Sequence, residues 1–301
     1  MNIEFDGHVS SANAATLRQV IEALVSRIQA RDTALDLSAL SRIVVADDLS
    51  AAEQKAGAMP VAGEHLSRIV ADGHSQGQFA LLFDGTKLWQ TLEGDGAEIA
   101  RLIHHLHKEC WRLHDARQPT PEVADAPLAR ALAPIVGAMW HEYRINRRSA
   151  WSVPADSDLL LNHLAALLQA LPDGMQEEIT LYFADQDLDS LFAKSLGRIA
   201  HLMQAVAHVQ GYLDGMGQPL KGISAEMHEL VAQSFLSPIW LTTAQHLAAG
   251  HAIEAGELAD APLRRDVQAA FATFGLQIRE SDDGSDVWVD VTPLTKPEIL
   301  H

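Results

Sequence analysis

The chain has 301 residues, 48% of them hydrophobic and 21% charged, an ordinary globular composition long enough for a large core and two lobes. Its 40 acidic residues against 22 basic ones give a formal net charge of -18, which argues against nucleic acid and anionic membrane as general partners. A single cysteine, Cys110, excludes an internal disulfide framework and any multi-cysteine zinc ribbon.

The first residues are acidic and lack a basic region followed by an apolar core, so no signal peptide is expected. No apolar run approaches the ~20 residues that span a bilayer, and a cytoplasmic location is expected. Residues 14–30 read as an amphipathic helix, with Leu17, Val20, Ile21, Leu24, Val25 and Ile28 on one stripe and Ser10 or Ser11 as its cap. Residues 40–45 form a short β-branched run, a buried strand, and 50–57 a short helix. Residues 57–77 read as irregular. Residues 79–83 are a second strand, and Asp84-Gly85 followed by an alternating pattern over 87–92 reads as a hairpin. The expected result is a small sheet of roughly three strands.

Residues 99–115 carry the densest chemistry. Ile99, Leu102, Ile103, Leu106, Cys110 and Leu113 make one helical stripe. The opposite face holds His104, Lys108, Arg112 and Asp115, with His105 and Glu109 on its flank. His104, Lys108 and Arg112 stack at successive i, i+4 spacings. Residues 118–127, with three prolines, read as a loop, and Pro134 as the first turn of a helix running to about Arg148. Glu142 and Asn146 fall on the same stripe of that helix as Ile135, Ala138 and Met139. An inward carboxylate there needs a partner, because burying it alone is costly. Beyond Pro154 the chain reads as mainly helical. Helices are expected over 156–171, stopped by Pro172-Asp173-Gly174, then 176–183, 188–212 (ended by Gly211, Gly215 and Gly217), 224–235, 238–249 and 261–271. A hairpin follows, with 277–279 and 287–291 around Asp282-Asp283-Gly284.

The run Lys108-Glu109-Cys110-Trp111-Arg112-Leu113-His114-Asp115 resembles the active-site helix of small zincin metallopeptidases of the gluzincin type, which carry H-E-x-x-H, often with a short extension ending in Asp. Trp140-His141-Glu142-Tyr143, followed by Arg147-Arg148-Ser149-Ala150, resembles that group's second helix, where a Glu supplies the third zinc ligand. A sheet before the helix also suits that fold. The resemblance covers roughly residues 35–150. In such a helix two histidines at i, i+4 hold zinc from one face, and the Glu between them acts on the metal-bound water as general base.

Carried over residue by residue, the resemblance implies that Glu109 keeps the base position and Glu142 the third-ligand position. Lys108 and Arg112 replace the two histidines. A protonated Lys or Arg cannot ligate zinc. The expectation is therefore a vestigial site without metal, in which Lys108 and Arg112 are neutralised by Glu109 and Glu142. The plain alternative is a solvated charged face. His104, His105, His107 and His114 contain no i, i+4 pair. His104 and His107 have i, i+3 spacing, and with His141 and Glu142 as further ligands, and Asp115 and Asn146 as supporting or alternative groups, they are the candidates for a rearranged zinc site.

Elsewhere the residues argue for structural roles. His201 and His208 lie seven apart, His246 and His251 do not face one another well, and Cys110 on the apolar stripe reads as a buried, inert thiol. The stretch 211–217 lacks the strand and helix that a dinucleotide site needs. Arg144, Arg147 and Arg148 form the only dense basic patch; it could receive an anion, and the expectation is a solvated helix end or pairing within this acidic chain.

The fold expected is α+β and mostly helical: residues 1–152 as a zincin-like lobe with a small sheet, and 153–301 as a helical lobe ending in a hairpin. The function expected is a catalytically degenerate, metallopeptidase-like protein that binds a protein or peptide partner, without a cofactor, nucleic acid or membrane. The alternatives are a metal-dependent hydrolase with a rearranged His/Glu ligand set, with Glu109 as base, and a purely helical interaction module.

Overall fold

A computed structural model describes residues 2–7, 11–59, 65–73, 77–116, 126–252 and 260–293. The fold is α+β and mostly helical, in two compact units. One comprises Met1–Pro119 with Trp151–Ser157, the other Thr120–Ala150 with Asp158–His301. A single cut after Ser152 therefore does not describe the chain: the helix before it belongs with the helical unit, and a short return segment belongs with the sheet unit.

The sheet unit runs β1 (Asn2–Asp6), α1 (Ser11–Arg31), β2 (Leu40–Ala46), α2 (Leu49–Lys55), β3 (Ser67–Ala71), β4 (Phe79–Asp84), α3 (Gly85–Glu93) and α4 (Gly96–Asp115). Its four strands are ordered β1-β2-β4-β3, with β1, β2 and β4 parallel and β3 antiparallel at the edge. Parallel neighbours need a crossover, and α1 supplies the one from β1 to β2. Ile43 and Val45 are fully buried. Val44 and Ala46 turn the other way and are buried beneath α2 with Ala52, Ala56 and Leu82. Burial on both faces explains why this strand reads as a continuous apolar run rather than an alternating one.

The expected hairpin after Asp84 is a helix. The Asp84 carboxylate accepts from the Lys87 N–H at 3.0 Å, so Asp84 is the N-cap of α3 and not the corner of a turn. A Cβ at Gly85 would lie 3.2 Å from the Ala46 carbonyl oxygen. The glycine there admits the neighbouring strand end. Strands β1 and β3 were not expected: β1 is five residues at the start, and β3 falls in the stretch read as irregular. Ser10, Pro60 and His74 lie outside the described residues, as does most of the expected loop over 118–127.

The helical unit runs α5 (Pro127–Ser149), α6 (Leu161–Asp185), α7 (Leu188–Met216), α8 (Leu220–Ile223), α9 (Ala225–Gln233), α10 (Ser237–Ala252), α11 (Asp260–Ala272), β5 (Leu276–Glu280) and β6 (Val287–Val291). A 3-10 turn, Ala150–Ser152, follows α5. Pro127, not Pro134, opens α5, and Pro134 sits inside it. Pro172-Asp173-Gly174 does not stop α6 either. Leu164, Leu168, Leu171, Met175 and Ile179 are buried at helical spacing straight through the proline, so burial outweighs the lost hydrogen bond. A Cβ on Gly174 would come within 2.5 Å of the Arg198 guanidinium, which passes over it to reach Glu178. α6 begins at Leu161, not at residue 156, because Leu159 and Leu160 take φ of +53° and +67°, a left-handed conformation costly for leucine.

Helix α7 lies against α5, α6, α10 and α11. Gly211 and Gly215 do not end it. A Cβ on Gly211 would come within 2.5 Å of the Tyr143 carbonyl oxygen, and one on Gly215 would overlap the Arg147 carbonyl. The two glycines let the α5 and α7 backbones touch. Gly217, at φ +64°, supplies the left-handed C-cap. The C-terminal hairpin is antiparallel as expected, with Gly284 at φ +69° in its turn.

Candidate functional site

The histidine-bearing helix α4 starts at Asp95, whose carboxylate accepts from the N–H groups of Ala97 and Glu98. Leu102, Leu106, Cys110 and Leu113 are buried as the stripe requires. Burial also takes in His107 (0% exposed), Glu109 (5%) and Trp111 (2%), so α4 is enclosed on more than its apolar stripe.

Glu109 is paired with Arg112 one turn on, and its second neighbour is His105 Nε2 at 4.0 Å. His105 Nε2 lies 2.7 Å from the Ser67 hydroxyl of β3. Burial first, then Arg112 and Lys108, push the His105 imidazole below its ordinary value against the pull of Glu109. His105 is thus neutral at pH 7, and Arg112 carries the compensation of the Glu109 charge. Lys108 is half-buried beside this group. His114 Nδ1 accepts from the Asp36 N–H at 3.0 Å, with its ring edge-on to Trp111, and Asp115 closes the helix. Cys110 is buried and its thiol is pushed up to about 12 by desolvation, which makes it a poor nucleophile.

Glu142 belongs to the helical unit and has partners there. Its carboxylate takes Asn146 Nδ2 at 3.3 Å and lies 3.1 Å from His208 Nδ1 of α7. Asn146 is fully buried at the crossing opened by Gly211, and His141 is half-buried on the same helix. On the next residue of α5, the Tyr143 hydroxyl donates to Asp214 (2.5 Å) and accepts from Arg147 (2.6 Å). Burial, then the Asp214 contact, raise that hydroxyl's pKa. His251 packs edge-on against Tyr143, and burial together with Arg147, Arg148 and Arg144 pushes it down to about 4. The basic patch is therefore partly neutralised, through Arg147 and Asp214, as the acidic composition implied.

The other histidines serve separate contacts. His201 stacks edge-on with His163, and His246 lies 2.8 Å from the buried Asp266. His104 and His107, the i, i+3 pair, do converge. Both present Nδ1 to the Ser152 hydroxyl, at 2.9 and 2.8 Å. His107 Nε2 faces Asp32 at 3.2 Å, and Trp111 Nε1 donates to the same Asp32 oxygen at 2.9 Å. Sequence reasoning missed Asp32 and Ser152. They lie 75 and 45 residues from His107, and no spacing rule links them.

Among the described residues, no group of three or more His, Cys, Asp or Glu side chains is arranged to hold a metal ion. None of their helices is long and apolar enough to cross a membrane. A cleft of about 510 Å³ in the sheet unit is lined by Glu4, Asp6, Arg42 and Lys55 over Val44 and Leu82, and includes none of the α4 residues. No protein-family profile, no characterised protein and no solved structure matches this chain.

Proposed function

We propose that the Lys108-Glu109-x-x-Arg112 turn is a metallopeptidase-like motif closed by its own ion pair, and that the protein acts there by binding a protein or peptide rather than by metal-dependent hydrolysis. The observation that carries this reading is the buried Glu109 carboxylate compensated by Arg112 on the next turn. In the H-E-x-x-H pattern that carboxylate works on metal-bound water. Here it is engaged by a cation standing in the second ligand position, and no metal charge is needed to balance it. The strands preceding the helix support the reading, and so does the strongly acidic surface, which favours a protein or peptide partner over nucleic acid.

Metal analysis of the full-length protein purified from zinc-supplemented medium tests it. Zinc well below one ion per chain, unchanged by Glu142→Gln, is expected. One ion per chain, lost in that variant, would overturn the reading in favour of a rearranged ligand set.

A further inference from the structure

The Ser152 cluster shares Trp111 with the Lys108–Arg112 turn but has partners other than the Glu109–Arg112 pair. Within the sheet unit, α4 supplies His104, His107 and Trp111, the residue after α1 supplies Asp32, and the 3-10 turn supplies Trp151 and Ser152. The proton positions follow from charge. His107 Nε2 lies 3.2 Å from a carboxylate oxygen of Asp32 and 3.1 Å from Trp111 Nε1, whose N–H reaches both atoms; in the tautomer that keeps a lone pair from facing the carboxylate, Nε2 carries the hydrogen and donates it to Asp32. Trp111 Nε1 donates to the same oxygen and fixes the carboxylate. His107 Nδ1 is then an acceptor, and the atom in reach is the Ser152 hydroxyl at 2.8 Å, which must donate to it. His104 Nδ1, 2.9 Å from the same oxygen, completes the set as a donor. The order is Ser152 O–H to His107, and His107 N–H to Asp32, the arrangement that activates a serine in unrelated hydrolases.

We propose that Ser152 is a nucleophile and His107 its general base, with Asp32 as a positioning residue, and that together they transfer the acyl group of carboxylic esters to Ser152 and then to water. Oγ attacks the ester carbon while its proton passes to His107 Nδ1. The imidazolium that forms is balanced by Asp32. The ester C–O bond then breaks, and the Nδ1 proton leaves with the alcohol. Water attacks the acyl-serine, giving one proton to His107 and releasing the acid, and the proton returns to Ser152 Oγ. His104 is the donor placed to move from Oγ to the carbonyl oxygen as charge builds there. Beside this set the Trp151 ring packs on His107 at 4.5 Å, with the Arg31 guanidinium over the same ring. Burial lowers the basicity of His107, so the base is free at neutral pH.

The test uses the full-length protein, a fluorophosphonate probe and p-nitrophenyl acetate. One probe per chain, mapped to Ser152 by peptide mass and abolished in Ser152→Ala, is expected. His107→Gln and Asp32→Asn should each slow labelling about a hundredfold or more, in variants whose circular dichroism and melting match the parent. In the parent, the labelling rate should rise with pH through one group titrating below the ordinary imidazole value. In Asp32→Asn that inflection should move lower, because Asp32 is what raises it. An unlabelled parent protein, a label on another residue, a flat pH profile, or labelling of Ser152 that Asp32→Asn leaves unchanged would each overturn the proposal. The parent's pH profile decides the matter even if His107→Gln fails to fold.

Discussion

Helix α4 and the α5–α7 pair both bury polar groups, by opposite means. On α4 the buried carboxylate takes its compensation from its own helix, Glu109 with Arg112 at i, i+3. Between α5 and α7 the partners lie on different helices, Glu142 with His208 and Tyr143 with Asp214, and they meet because Gly211 and Gly215 let the backbones touch. A local pair depends on helical spacing alone. A cross-helix pair depends on the packing distance as well. Removing a glycine should therefore damage the second arrangement and leave the first intact.

The largest effect expected is from Gly215→Ala. The new methyl would overlap the Arg147 carbonyl, and backbone cannot rotate away as a side chain can. A loss of about 3 kcal/mol in urea unfolding is expected. Glu142→Gln should cost less, about 1 kcal/mol, because it weakens one cross-helix contact that is already 3.1 Å long and partly exposed.

Acid titration gives the next effect. His251 is held down to about 4, below its unfolded value of 6.5. A depressed imidazole is neutral in the folded protein at a pH where the unfolded chain binds a proton. Its contribution is thus fully present above pH 6.5 and is lost as the pH falls from there to about 4. The ring is only half-buried, so screening reduces the effect to about 1 kcal/mol. His251→Gln should flatten the stability profile across that window by this amount. His105 and His107 shift in the same direction, so some acid sensitivity should remain in that variant. The smallest effect is chemical. Cys110 should stay unreactive to a thiol reagent in the native protein and react once urea unfolds it.

The sequence made α4 readable because everything that defines it is local: the apolar stripe, the Glu109–Arg112 spacing and the buried Cys110. The same holds for α1, β2 and the C-terminal hairpin. Misreadings fall where a local signal has two meanings. Asp84-Gly85 followed by an apolar alternation fits a hairpin, yet a capping aspartate and a glycine admitting a neighbouring strand carry the same letters. Pro172-Asp173-Gly174 fits a helix stop, yet buried Leu171 and Met175 on either side hold the helix together. Asp32 and Ser152 give no local signal at all. Their contact with His107 exists only once α1, α4 and the 3-10 turn have been brought together.

The central claim is that an internal ion pair on α4 stands where the H-E-x-x-H pattern has a metal. A double-mutant cycle on that pair, Glu109→Gln, Arg112→Met and the two combined, measured by urea unfolding, tests it most directly. The account predicts that each single change destabilises, that the double variant recovers much of the loss, and that the coupling is about 1–2 kcal/mol. Additive losses with no coupling would show two independently solvated charges and would contradict it.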